Sequence, residues 1–430
     1  MIPGTTEQIT PAGTISRFEP LLNGISVFIL ATIFLYWDAS RAAYVLLSLA
    51  ALVYIVKYRP RLPRDHRFYS WPIIVYFAAT FISVAYDDFS DSGMTRLTSR
   101  FLLLLIGIPL VSLFYACFDS RRNLWTKFIL GSVTMGAISL VDILYRHADR
   151  AGGGHNEVVF GFVALVMTCI VMASYHRLKK VRFGKFYYFS GLLMGFCAMF
   201  LSGTRGAWIV AIAVVMISII FYLDRYSLSK RIIIATALIL GISAGGLSIP
   251  LVQERVDNMV EVFTPYVMGE EQTEFNSLRY RVELWKAGWQ IGMKDRIFGV
   301  GPGNIKKSLR AFAAENPELA PLGTMNHLHN QFMQTFATSG FVGLVSLIGL
   351  ITCHLWIFTK YLGKTYSVEV RSLALAGFLL VVAYVIFSIP EVPFRGKQFL
   401  MIYAFSSASI WGCLLAALQQ SGATDENRQS

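Results

Sequence analysis

Apolar residues along this chain gather into repeated blocks, each long enough to cross a bilayer as a helix. Twelve such blocks begin near residues 21, 41, 70, 101, 128, 158, 187, 207, 232, 331, 372 and 398. The expected fold class is therefore an all-α polytopic membrane protein with about 12 transmembrane helices. One long polar stretch interrupts the series, between residues 251 and 326. It is too long for a simple connector, and its helix-compatible pieces predict a small helical cap over the membrane portion. The chain is expected to divide into residues 1–250 with spans one to nine, 251–326 as the cap, 327–418 with spans ten to twelve, and 419–430 as a tail.

Inside the cap, Leu278, Val282, Trp285 and Trp289 recur at helical spacing. They predict an amphipathic helix that lies at the membrane surface, with Arg279 and Arg281 on its polar face. After the cap, Asn326-His327-Leu328-His329-Asn330-Gln331 runs straight into an apolar helix. With Asn326 as its N-cap, His329 would stand in the first turn, where free N–H groups and the positive dipole end attract anions and favour a neutral imidazole. Phe336, Gly340 and Gly343 would continue the stripe below it, the glycines letting a neighbouring backbone approach.

Composition agrees with the pattern: 55% of residues are apolar and the mean hydropathy is +0.54, beyond what a soluble globule carries. The formal charge of +12 is mostly explained by topology. Lysines and arginines crowd the alternate loops around residues 57–67, 121–127, 177–185, 225–231 and 360–371. The opposite short loops carry only Arg41, Arg96, Arg100, Arg146, Arg150, Arg205, Arg395 and Lys397. Positive-inside bias then puts both termini in the cytoplasm and residues 251–326 outside, with no nucleic-acid partner required. Met1 to Glu19 holds one cation, Arg17, and no small-residue cleavage site follows, which predicts an uncleaved first span. The five cysteines fall within or at the edge of spans, so no disulfide framework is expected.

Against this background a few polar residues stand out. Arg205, in the short turn Ser202-Gly203-Thr204-Arg205-Gly206, lies at a membrane boundary on the cation-poor side, with no acid nearby in sequence. A cation there calls for an anionic partner, a distant acid or interfacial snorkelling being the plainer alternatives. Arg279 would oppose the dipole of a helix capped by Ser277, so helix stability does not explain it; an Arg279–Glu283 pair is the bland reading. Asp87-Asp88-Phe89-Ser90-Asp91 reads as a solvated turn rather than a cation site, and Arg150-Ala151-Gly152-Gly153-Gly154-His155 as a flexible connector. Gly299 to Ser308 imitates a phosphate loop but lacks the glycine before its lysine, and is expected to be a tight loop. His327 and His329, two apart on a helix, would point to different sides, so no metal is expected there.

Together, Ser202-x-x-Arg205-Gly206, the Arg279 region leading into the Gly299–Asn304 loop, and His329-Asn330 followed by Gly340-x-x-Gly343 resemble the O-antigen ligase superfamily. Thr204 stands where the ligases carry serine. The resemblance implies a GT-C-like glycosyltransferase that moves O-antigen from undecaprenyl pyrophosphate to a sugar hydroxyl of the lipid A core. The active site would face the periplasm from the inner membrane, and neither ATP nor a metal cofactor would be needed. His329 is implied as the catalytic histidine, with Arg205 and Arg279, and less directly Arg281, as pyrophosphate-binding arginines. An O-antigen polymerase or protein O-oligosaccharyltransferase of the same superfamily, or a lipid-linked sugar transporter, are the alternatives.

Overall fold

The computed structural model describes residues 12–86, 91–117, 121–224, 226–247 and 277–429, together with Gln253, Asp257, Val260 and Thr264. Every regular element among them is helical. The expected all-α architecture is what the chain adopts.

Each of the twelve expected spans corresponds to a helix. In order they are α1 (Ala12–Thr32), α2 (Trp37–Tyr58), α3 (His66–Tyr86), α4 (Gly93–Ala116, broken by a π turn at Leu97–Phe101), α5 (Arg121–Leu140), α6 (Glu157–Ala173), α7 (Gly184–Leu201), α8 (Arg205–Tyr222) and α9 (Leu228–Leu247). Two cap helices follow, α10 (Ser277–Lys294) and α11 (Ile305–Glu315). Then come α12 (Gln331–Thr359), α13 (Val368–Phe387) and α14 (Lys397–Gln429). By length and apolarity, nine candidate spans are found among the described residues, fewer than the expected twelve, while Pro20–Thr32 and Glu157–Ala173 form shorter apolar helices. At 17 residues α6 is short for a span. From Phe160 to Ala173 every residue is buried, and the helix packs among α5, α7, α8, α13 and α14, so protein surrounds it on all sides.

The cap has its own small core. Leu284, Ala287 and Ile291 of α10 meet Ile305, Leu309 and Phe312 of α11, with Leu322 and Leu328 closing it. The buried stripe of α10 is therefore not the expected Leu278, Val282, Trp285, Trp289 set. Gly288 and Gly292 turn inward, where an added Cβ would come within 2.5 Å of Leu328 and Phe336 respectively. Small residues allow that approach, so the bulky indoles are left to the flank. Trp289 stays 48% exposed against Phe336.

The apolar stripe expected below His329 is also interrupted. Gly340 adopts φ 61°, ψ −163°, conformations open to glycine alone, and breaks α12. Four backbone groups released there are met by the loop before α11: Val300 and Gly301 donate to Ala337 and Thr338, and Phe341 and Val342 donate to Arg296 and Ile297. The loop resembling a phosphate cradle is thus a splint for a broken helix. A Cβ on Gly340 would lie 2.1 Å from the Ile297 carbonyl oxygen.

Candidate functional site

The cap of α12 fixes the geometry of the histidines. Asn330, extended at φ −158° and ψ 121°, is the N-cap, its side-chain oxygen accepting from Met333 N at 2.9 Å. Asn326 is not the cap, contrary to expectation. Its Oδ1 lies 2.6 Å from His327 Nδ1, and its carbonyl accepts from Arg395 Nη2 at 3.0 Å. His329 consequently sits one residue outside the helix, in the left-handed region at φ 48°. Trp285 Nε1 donates to its carbonyl at 3.2 Å. Leu328 on one side is buried in the cap core, and Asn330 on the other is tied to the membrane helices, so His329 is held between two anchored neighbours.

Those ties run to the connection between α13 and α14. Gln331 N donates to Ser388 O at 2.8 Å, Phe394 N to Gln331 Oε1 at 2.8 Å, and Asn330 Nδ2 to Ile389 O at 3.1 Å. This stitching delivers Glu391, whose carboxylate lies 3.3 Å from His329 Nδ1 and 3.8 Å from Arg281 Nη2. The two partners are 25% and 15% exposed, histidine and glutamate respectively. Glu391 is the residue that sequence reasoning missed. It stands 62 positions from His329. The available signal was a lone acid between two prolines, Pro390 and Pro393, in a short connection.

Arg205 opens α8 behind Thr204, whose Oγ1 accepts from Ser202 Oγ at 2.9 Å and donates to Glu157 O at 3.1 Å. Its neighbour Gly206 packs on the same connection: a Cβ there would lie 3.2 Å from Phe387 and 3.4 Å from Pro390. The arginine element and the histidine thus flank one segment, residues 387–391. Arg281, placed behind Arg279 on sequence grounds, has its guanidinium beside Glu391, and Arg279 is half-buried on the same helix. Glu283 receives Lys286 Nζ at 2.8 Å. Arg395 and Arg100 line a water-sized polar cavity of about 20 Å³ with Gln331, Gln334 and Thr335.

Other expected features lie elsewhere. The Gly152 turn is no loose connector: the buried Asp142 carboxylate accepts from Gly152 N and Gly153 N at 2.9 and 2.6 Å, and Ala151 N donates to Leu201 O. His155 is exposed and packs its edge on Phe34. Residues 87–90, most of the acidic cluster, lie outside the described residues.

The spacing argument against a metal does not hold in the folded chain. His327 and His329 are not helical, and their rings meet at a tilt of 44° with centroids 4.0 Å apart. Ligand atoms of His327, His329 and Glu391 all lie within 4.8 Å of one another, near enough for a metal ion. Burial, then the neighbouring His329, Arg395 and Arg281, push His327 down to about 3, which keeps its ring neutral.

The fold and the site define a class, the multi-pass helical membrane proteins, here with His329, Arg281 and Glu391 brought together before α12. Within that class, residues 189–348 match the Wzy_C family, described as O-antigen ligase, so the chain contains a domain of that family. The match takes in Arg205, Arg279, Arg281 and His329 and ends before Glu391. An uncharacterized protein of Haemophilus influenzae is 22% identical over 372 residues, covering 84% of this chain and 90% of its own. The matched segment is thus similar to a family whose membership implies a glycan-transferring membrane enzyme with lipid-linked glycan substrates.

Proposed function

We propose that this enzyme is the ligase of that type. It transfers O-antigen polysaccharide from undecaprenyl pyrophosphate to a sugar hydroxyl of lipid A-core, at the periplasmic face of the inner membrane. The observation that carries the reading is His329 held beside Arg281 and Glu391, with the Arg205 turn packed on the same connection.

The reaction is a single displacement at the anomeric carbon, with inversion. The acceptor oxygen forms the new bond to that carbon as the carbon–oxygen bond to pyrophosphate breaks, and the leaving group takes the electron pair. The acceptor's proton passes to His329, which serves as general base. Pyrophosphate is already a good leaving group, so it needs charge stabilisation rather than protonation. Guanidinium groups of Arg205, Arg279 and Arg281 supply it, and no metal ion or nucleotide takes part. Both substrates are lipid-anchored and arrive laterally from the bilayer beneath the cap. The family match supports glycan transfer.

The test is a choice of acceptors. Purified enzyme with a polyprenyl-pyrophosphate glycan and EDTA, without nucleotide, is offered lipid A-core, a second lipid-linked repeat, or an acceptor protein. Glycan-capped lipid A-core as the main product supports the ligase. Elongated lipid-linked glycan or glycosylated protein instead overturns it in favour of the polymerase or protein-transferase.

A further inference from the structure

We infer that Glu391 is a positioning residue for His329: its carboxylate holds the Nδ1–H of the imidazole and leaves Nε2 free to accept the substrate proton. The inference rests on the proposed general-base role of His329.

The chemistry of the pair selects the tautomer. An ionised carboxylate can only accept, so a hydrogen bond between Glu391 and His329 Nδ1 requires the proton on Nδ1. The lone pair is then on Nε2. The separation of 3.3 Å is at the long end for such a bond, as expected of a site without substrate, and closure around substrate would shorten it.

The surrounding backbone is arranged to keep the carboxylate there. Glu391 N donates to Phe387 O at 3.1 Å, extending the end of α13, while Pro390 and Pro393 restrict the chain on either side. The hydrogen bonds from Gln331, Phe394 and Asn330 fasten this connection to the segment carrying His329. Trp285 fixes the histidine's own carbonyl. The imidazole is therefore constrained from the backbone side by α10 and from the ring side by the α13–α14 connection. Glu391 also faces Arg281, so one carboxylate sets the direction of the base and of a guanidinium beside it. A carboxylate so placed explains why a lone acid stands among the site's arginines, where an anionic substrate alone would exclude it.

The charged and titratable groups facing this pair are His327 from the same segment, Arg281 from α10, and Arg395 from the α13–α14 connection.

The experiment compares full-length wild type, Glu391→Gln, Glu391→Asp, His329→Ala and the double variant His329→Ala/Glu391→Gln, in nanodiscs, by kcat, donor KM and rate against pH. Expected for Glu391→Gln is a fall in kcat of roughly a hundredfold or more, with donor KM little changed. Glu391→Asp restores part of the rate, and the double variant is no slower than His329→Ala. An unchanged kcat in Glu391→Gln, or an effect that multiplies fully with His329→Ala, overturns the positioning role. Wild-type activity in His329→Ala instead overturns the general-base reading beneath it. Nitrogen-15 histidine NMR of the unsubstituted protein tests the tautomer without any mutation: an Nδ1–H ring at position 329 is expected, and Nε2–H contradicts the inference.

Discussion

At the level of single residues, the site depends on a strained histidine. His329 occupies a left-handed conformation that costs a non-glycine residue about 1–2 kcal/mol, and it is maintained by the bond from Trp285 and by the anchored neighbours on either side. Trp285→Phe removes that bond while keeping the ring, and should lower kcat without abolishing donor binding; an unchanged kcat would mean the indole bond does not position the base. His327 behaves differently from His329. With its pKa near 3 it remains neutral throughout the physiological range and supplies no titration above about pH 4. His327→Gln should therefore leave the shape of the rate–pH profile over pH 5 to 9 unchanged, and a changed profile would show that His327 titrates in that range. His329 and the arginines could be singled out in sequence because each is costly where it is expected to stand: a titratable ring before an apolar helix, and cations on the side expected to be cation-poor. Glu391 was not, because its contact with His329 depends on how a connection 62 residues away folds back. The two-apart argument about His327 failed for a related reason, since it presumed a helix that begins only after Asn330.

At the level of elements, the break in α12 links cap to membrane helices. Gly340→Ala would place a Cβ against the Ile297 carbonyl and force alanine into a glycine-only conformation, a strain of about 1–3 kcal/mol before any clash is counted. The expected outcome is a lower Tm and lost transfer, read by thermal unfolding in detergent; wild-type Tm would show that the splint is not needed. Asn330→Ala removes the helix cap, worth about 1 kcal/mol, and also the tie to Ile389. Periodicity revealed that α10 and α12 exist and that α10 is amphipathic. It could not reveal which face of α10 is buried, because glycines at 288 and 292 count for little on a hydrophobic pattern yet decide the closest approach. Nor could it show that Gly340 ends one helical segment and begins another, since an apolar sequence continues unbroken across it.

At the scale of the whole molecule, block hydropathy located a helix for each of the twelve expected spans among the described residues, and burial then separated those able to face lipid from α6 and α14, which protein surrounds. The bias of basic residues carries the orientation. A cysteine at Lys306 on the exposed face of α11, in a protein freed of its five native cysteines, should react with a membrane-impermeant maleimide from outside intact spheroplasts. A cysteine at the exposed Lys364 should not. The reverse pattern would put the cap and His329 in the cytoplasm and remove the periplasmic reaction.

The central claim is that His329 takes the acceptor's proton during glycan transfer to lipid A-core. Its most direct test is the single-turnover rate of wild type against His329→Ala, with polyprenyl-pyrophosphate glycan prebound, lipid A-core added and EDTA present. A fall of roughly a hundredfold to ten-thousandfold with donor affinity retained is the predicted result. An unchanged rate, or a loss traced wholly to donor binding, would contradict it.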